Sequence, residues 1–288
     1  MQYINRKIDK SLEEWKDSAN LKPLLLRGAR QVGKSRSVKH FAEKFAYYIE
    51  VNFERRPELC SLFETVTDVH DIVDRLSMLY STPVVPGKTL LFLDEIQSCP
   101  AAIKRLWFFK EDFPELHVVA AGSLLEFALK DIGSYGVGRI RSMFMYPLSF
   151  EEFLVANGKS AWVEAIKAAN FDNPVPSELH NEIVQLFRIY MLVGGMPAGV
   201  AAWVETHAFQ QCQRELRDIQ QSYYDDFAKY AGVIDPQLLR ATLGSVALQT
   251  GKKFVYSRVE GGYRSDDVKK ALALLIDAGI VTKVSHTS

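Results

Sequence analysis

Three leucines, Leu24-Leu25-Leu26, run almost directly into Gly28-Ala29-Arg30-Gln31-Val32-Gly33-Lys34-Ser35, and an apolar helical stripe (Val38, Phe41, Phe45) follows at once. A short apolar run, a glycine-bounded loop and an amphipathic helix define a strand–loop–helix unit. The loop fits G-x-x-x-x-G-K-[ST], whose backbone N–H groups and following helix N-terminus make a concave anion site. Glycine permits the turn and the close approach of phosphate oxygens. Lys34 is expected to reach the β- and γ-phosphates and Ser35 to ligate Mg²⁺. Gly28 to Ser35, with Arg36 next to them, form the candidate nucleotide-binding set. The plain alternative is a glycine turn in an ordinary strand–helix unit, and the flanking elements argue against it.

The run Leu90-Leu91-Phe92-Leu93 ends in Asp94-Glu95. Asp94 is the expected Mg²⁺ ligand, and Glu95 is the carboxylate that would polarise an attacking water. Without the upstream loop, two solvated acids at a strand end would be the better reading. The run Val118-Val119-Ala120-Ala121 ends in Gly122-Ser123. Ser123 is the candidate γ-phosphate sensor, and equally a cap for a helix over Leu124 to Leu129. Arg139 and Arg141 follow a glycine-rich stretch from Gly133 to Gly138. A guanidinium can neutralise transition-state charge in its own subunit or a neighbour's, and Arg139 is the stronger candidate. A surface arginine in a loop is the competing reading.

Strand patterns at Leu24–Leu26, Tyr47–Asn52, Leu90–Asp94, Leu116–Ala121 and Met143–Tyr146 alternate with helical ones up to Pro147. The alternation predicts a parallel sheet with helices on both faces, joined by right-handed crossovers. A first amphipathic helix falls within residues 1–20, with Ile8, Leu12 and Trp15 on one side. From Ser149 to about Tyr230 the pattern is helical, and Ser149 with Glu152 reads as a capping box. After Asp235 come three helical patterns and a strand pattern at Ile280–Val284. The expected domains are 1–148, 149–233 and 234–288.

Lysine plus arginine and aspartate plus glutamate both number 35, which argues against a polyanion-coated protein. Cys60, Cys99 and Cys212 lack metal-ligand spacing and are expected to be reduced intracellular thiols. No apolar run reaches membrane-spanning length, and Met1 to Glu14 lacks a signal-peptide core. The expectation is a cytoplasmic protein with no membrane partner.

Taken together, these residues resemble the AAA+ ATPases. More narrowly, they resemble the prokaryotic AAA-type ATPase family with a nuclease-like C-terminal domain of unknown function. The matching segments are Tyr3-Ile4-Asn5-Arg6, the loop Gly28 to Ser35, Leu93-Asp94-Glu95-Ile96-Gln97, Ala121-Gly122-Ser123, Gly138-Arg139, Pro147 to Phe153 and Gly194-Gly195-Met196-Pro197. The resemblance implies a P-loop sheet of the additional-strand type, with Asp94 and Glu95 on the strand neighbouring the loop's own strand. A helical lid and a winged helix would follow. It implies ATP and Mg²⁺ as ligands. The last, nuclease-like domain is expected to be missing before Ser288.

In the C-terminal segment, 235–288, eight Lys/Arg stand against five Asp/Glu. Ser265 is expected to cap a helix whose stripe Val268, Ala271, Leu272, Leu275 and Ile276 faces inward, leaving Lys269 and Lys270 outward. Such a helix could contact duplex DNA, although Asp266 and Asp267 sit where bases would be read. Three functions follow: an ATPase that drives conformational change, a nucleotide-gated switch with little turnover, and a DNA-binding regulator. A homo-oligomer is compatible with each. No N-K-x-D guanine signature follows the strands, so ATP is expected rather than GTP.

Overall fold

Short apolar runs build the centre of the sheet. β1 (Leu24–Arg27), β3 (Thr89–Asp94) and β4 (His117–Ala121) are almost wholly buried, as strands covered on both faces must be. β2 (Tyr47–Asn52) and β5 (Arg141–Phe144) form its two edges, and β2 alternates half-buried with buried residues. The computed structural model describes residues 3–123, 138–228, 231–232 and 234–285. The helix expected over Leu124–Leu129, the glycine-rich residues before Gly138, and Tyr230 lie outside the described residues.

All strand pairs are parallel, in the order β2-β3-β4-β1-β5. This bears out the expected parallel sheet and corrects one detail of it. β4 stands between β1 and β3, with Leu24 opposite Val119 and Leu90 opposite His117. Asp94 therefore ends a strand one place removed from the loop's strand.

α2 (Lys34–Ala42) begins inside the loop and buries Val38 and Phe41, while α1 (Lys7–Lys16) buries Leu12 and Trp15. α3 (Cys60–Thr65), α4 (Val69–Tyr80) and α5 (Pro100–Asp112) pack their apolar faces on β2, β3 and β4 around Phe53, Phe63, Ile72 and Leu106. Packing α3 against α5 corrects the cysteine expectation. Cys60 and Cys99 lie 39 residues apart, yet their Cα atoms are 5.5 Å apart and the two form a disulfide. Cys212 is free and buried.

α6 (Phe150–Ala156), α7 (Ser160–Ala168), α8 (Ser177–Val193), α9 (Pro197–Thr206) and α10 (Phe209–Ala228) follow. The capping box forms as expected, with Ser149 and Glu152 reciprocally bonded at the start of α6. Gly195 lies so close to Leu148 that a Cβ there would overlap the Leu148 carbonyl oxygen. The Leu148 N–H donates to the Gly195 carbonyl at 2.6 Å. Glycine is thus required at Gly195 by contact between two backbones.

The chain divides into two compact units, Met1–Glu215 and Leu216–Ser288. In the second, Leu238 and Leu239 of α11 (Pro236–Gln249) pack with Val268, Ala271 and Leu275 of α12 (Ser265–Asp277), and with Phe227 and Val259. Two expectations fail here. Ile280–Val284 is not a strand: among the described residues no strand lies beside it to accept its hydrogen bonds. Ser265 is already helical, and Arg264 occupies the cap position without a side-chain bond. Among the described residues, no helix is long and apolar enough to cross a membrane.

Candidate functional site

The loop between β1 and α2 turns at Gly28, where φ is +140° and a Cβ would overlap the Met145 carbonyl oxygen. The Met145 N–H in turn donates to the Arg27 carbonyl at 2.8 Å, continuing the β1–β5 pairing past the strand end. Gln31 (φ 64°) and Gly33 (φ 101°) are also left-handed, so the loop alternates backbone hands, a conformation in which successive N–H groups can converge on an anion. Lys34 is buried, and its ammonium donates to the carbonyls of Gly28 and Ala29, both at 2.8 Å. Burial lowers its pKa to about 8, against the opposing pull of Glu95 and Asp94.

Ser35 Oγ donates to Asp94 Oδ1 at 3.0 Å. The two positions are 59 residues apart and meet because α2 starts where β3 ends. Asn52, at the end of β2, donates through Nδ2 to Asp94 Oδ2 at 3.0 Å. Its Oδ1 also accepts from the N–H groups of Glu54 and Arg55. Burial and the neighbouring Glu95 raise the Asp94 pKa, and the bonds from Ser35 and Asn52 offset part of that rise. Asn52 was missed from sequence. The only signal was an amide at the end of an edge strand whose register with β3 could not be known.

Glu95 has φ 50° and ψ 45°, a left-handed backbone costing about 1–2 kcal/mol for a residue with a Cβ. Strain of this kind persists where surrounding structure enforces it and gathers at functional sites. Its Oε2 accepts from Gln97 Nε2 at 2.7 Å. Ser123 is buried just past the end of β4, between the β1 loop and the β3 acids in strand order.

Arg139 is not brought to this cluster. It precedes Arg141, which is level with Leu24 at the start of β1, while the loop follows the other end. Its Nε pairs with Glu111 Oε1 at 2.6 Å, and its guanidinium lies 5.1 Å from the Trp107 ring centroid. On α12, Lys269 and Lys270 pair with Asp266 and Asp267 at 3.0 and 3.6 Å.

Arg6 is a second residue whose role nothing in its local sequence marks. Its buried side chain reaches the loop, donating from Nη1 to the Val32 carbonyl at 2.9 Å.

A parallel sheet with an inserted strand, a lysine-bearing glycine loop and a facing acid pair make an α/β fold of the P-loop NTPase type. More particularly, residues 20–154 match the family model described as an AAA domain, and residues 184–288 match a domain of unknown function, DUF8612. No curated protein matches the chain. Among solved structures, it is similar to the Walker-type ATPase PABY2304 of Pyrococcus abyssi, at 16% identity and a TM-score of 0.59, over 96% of this chain and 90% of that one. At that identity the likeness is one of fold. Weaker likenesses reach the Aeropyrum pernix ORC1 protein in complex with DNA (14% identity, TM-score 0.37, 96% and 82% of the chains) and a point variant of Thermotoga maritima RuvB (14%, 0.38, 96% and 72%).

Proposed function

We propose that the chain binds Mg-ATP on the loop Gly28–Ser35 and hydrolyses it, Glu95 polarising the attacking water. The observation that carries this reading is the Ser35–Asp94 hydrogen bond. It joins loop and acid pair into one site of hard oxygen donors, with the Lys34 ammonium beside it.

That donor set fits Mg²⁺, an ion held by one or two protein oxygens, waters and substrate phosphates. Among the described residues no group of three or more His, Cys, Asp or Glu could cage a metal unaided. Ser35 and Asp94 are the residues that would hold the ion. Bound there, Mg²⁺ would neutralise charge on the transferring phosphoryl group. The chain's own residues do the rest. Loop N–H groups cradle the β-phosphate, and the Lys34 ammonium, two of whose N–H groups hold the Gly28 and Ala29 carbonyls, turns its third toward the phosphate oxygens. Ser123 is positioned to donate toward the γ-phosphate. Beside Gly33 and Ser37 lies a small hollow lined by Tyr3, Ile4, Leu148 and Pro197 together with Arg6 and Arg36.

Phosphate release by the full chain tests this reading. Glu95→Gln is expected to lower turnover about a hundredfold or more while nucleotide binding persists. Undiminished release from that variant would remove hydrolysis at this site.

A nucleotide-gated switch with low turnover is the second reading. It is favoured by the Gln97 amide on the Glu95 carboxylate and by the engagement of Arg139 with Glu111. Turnover per chain that rises with protein concentration would point to an arginine supplied by a neighbouring copy in a homo-oligomer. Duplex DNA contact rests on the basic residues of the second unit, two of which already face aspartates. It would need salt-dependent binding that Lys269→Ala with Lys270→Ala abolishes.

A further inference from the structure

Arg6 stands outside the P-loop motif, yet its guanidinium joins three separate parts of the first unit. Nε donates to Glu152 Oε1 of α6 at 3.0 Å, Nη1 to the Val32 carbonyl in the loop at 2.9 Å, and Nη2 to the Tyr146 carbonyl beyond β5 at 2.6 Å. The Arg6 and Glu152 side chains are only 6% and 9% exposed. Glu152 is itself fully engaged, accepting from the Lys7 N–H at Oε1 and the Ser149 N–H at Oε2, both at 2.7 Å.

A phosphate-binding loop works by turning N–H groups toward the anion. Its carbonyls must be held elsewhere, because a carbonyl oxygen facing a phosphate oxygen repels it. Here those of Gly28 and Ala29 are taken by Lys34. That of Val32, just before Gly33 and Lys34, is taken by Arg6.

We propose that Arg6 is a positioning residue for nucleotide binding: with Glu152 as its anchor, it holds the Val32 carbonyl out of the phosphate site and fixes the loop to the start of α6. This rests on the reading of the loop as the ATP site. A lysine at this position keeps the charge but cannot span three divergent acceptors, which require the planar fork. Holding the loop serves ground state and transition state alike, so its loss weakens binding more than it slows chemistry.

The test measures KM and kcat for phosphate release with Mg-ATP, Kd for ADP, and Tm, in the full chain carrying Arg6→Lys, Arg6→Ala or Glu152→Gln. For Arg6→Lys, KM and the ADP Kd are both expected to rise about tenfold, the worth of one charge-assisted hydrogen bond, with kcat within about twofold. Arg6→Ala should exceed that, and Glu152→Gln should shift the same quantities in the same direction. If Arg6→Ala fails to fold, the other two variants carry the test. A lowered Tm with unchanged KM and ADP Kd in Arg6→Lys and Glu152→Gln would overturn the proposal, leaving Arg6 a structural residue only. A loss confined to kcat would overturn it as well. Wild-type chain that bound neither ADP nor ATP would overturn the ATP-site reading and this proposal with it, an outcome distinct from the other two.

Discussion

His117 illustrates how a titratable side chain is used for packing in this molecule. It opens β4 and is buried, with ring centroids 5.5 Å from Trp15 and 5.0 Å from Phe45, and its Nε2 donates to the Lys16 carbonyl at 3.1 Å. Burial pushes its pKa below the ordinary 6.5, and the Lys16 carbonyl offsets this only in part. The sign of the consequence follows from the neutral form being favoured in the folded state. As pH falls through 6.5 the unfolded chain takes up a proton first, so the contribution of His117 is intact above that pH and is lost below it. Thermal stability of the first unit is expected to drop between about pH 7 and pH 5. His117→Gln should flatten that part of the curve in melts across a pH series. Individual chemistry of this kind was readable in advance where a residue works with its near neighbours, as in the loop from Gly28 to Ser35. Asn52, 42 positions from Asp94, and Arg6, 146 from Glu152, act through partners that only the fold supplies.

Elements were legible where burial leaves a regular apolar pattern, continuous or alternating. β3 and β4 agree with their patterns to within one residue, because a strand covered on both faces is an uninterrupted apolar run, and β2, whose buried Ile49 and Val51 alternate with half-buried residues, falls where its pattern put it. β5, an edge strand with three of its four residues exposed, starts two residues earlier than its pattern suggested. Strand order was a different matter. Nothing local marks β4 as the strand inserted beside β1, since that depends on the crossover and not on the strand. Ile280–Val284 has the β-branched composition of a strand but no neighbour to pair with among the described residues, and β-propensity expresses fit to a sheet surface more than backbone preference. The Cys60–Cys99 link was equally hidden, because α3 and α5 meet only through the core. Closing a loop of this length contributes roughly 3–4 kcal/mol through the unfolded chain. Reductant or Cys99→Ser is therefore expected to lower Tm by roughly 5–15 °C. Scans with and without reductant should differ for the wild type and coincide for Cys99→Ser.

For the whole chain, the division into Met1–Glu215 and Leu216–Ser288, each with its own buried cluster, predicts unfolding that departs from a single two-state transition. The loop, both acids, Ser123 and Arg6 all belong to the first unit. A ligand stabilises only what it binds, by about 2.7 kcal/mol at a hundredfold excess over Kd. Calorimetry is expected to resolve two transitions, of which ADP raises only one. Movement of both by the same amount would mean that the units unfold together.

Arg6 also bears on where a working piece of this chain could be cut. The stretch that matches an AAA domain begins at residue 20, after Arg6, Lys7 and all of α1. A fragment trimmed to that boundary would keep the glycine loop, both acids and Glu152. It would lose the guanidinium on the Val32 carbonyl and two of the three donors on the Glu152 carboxylate. The similarity of residues 20–154 thus marks a smaller object than the one that holds the phosphate loop in shape.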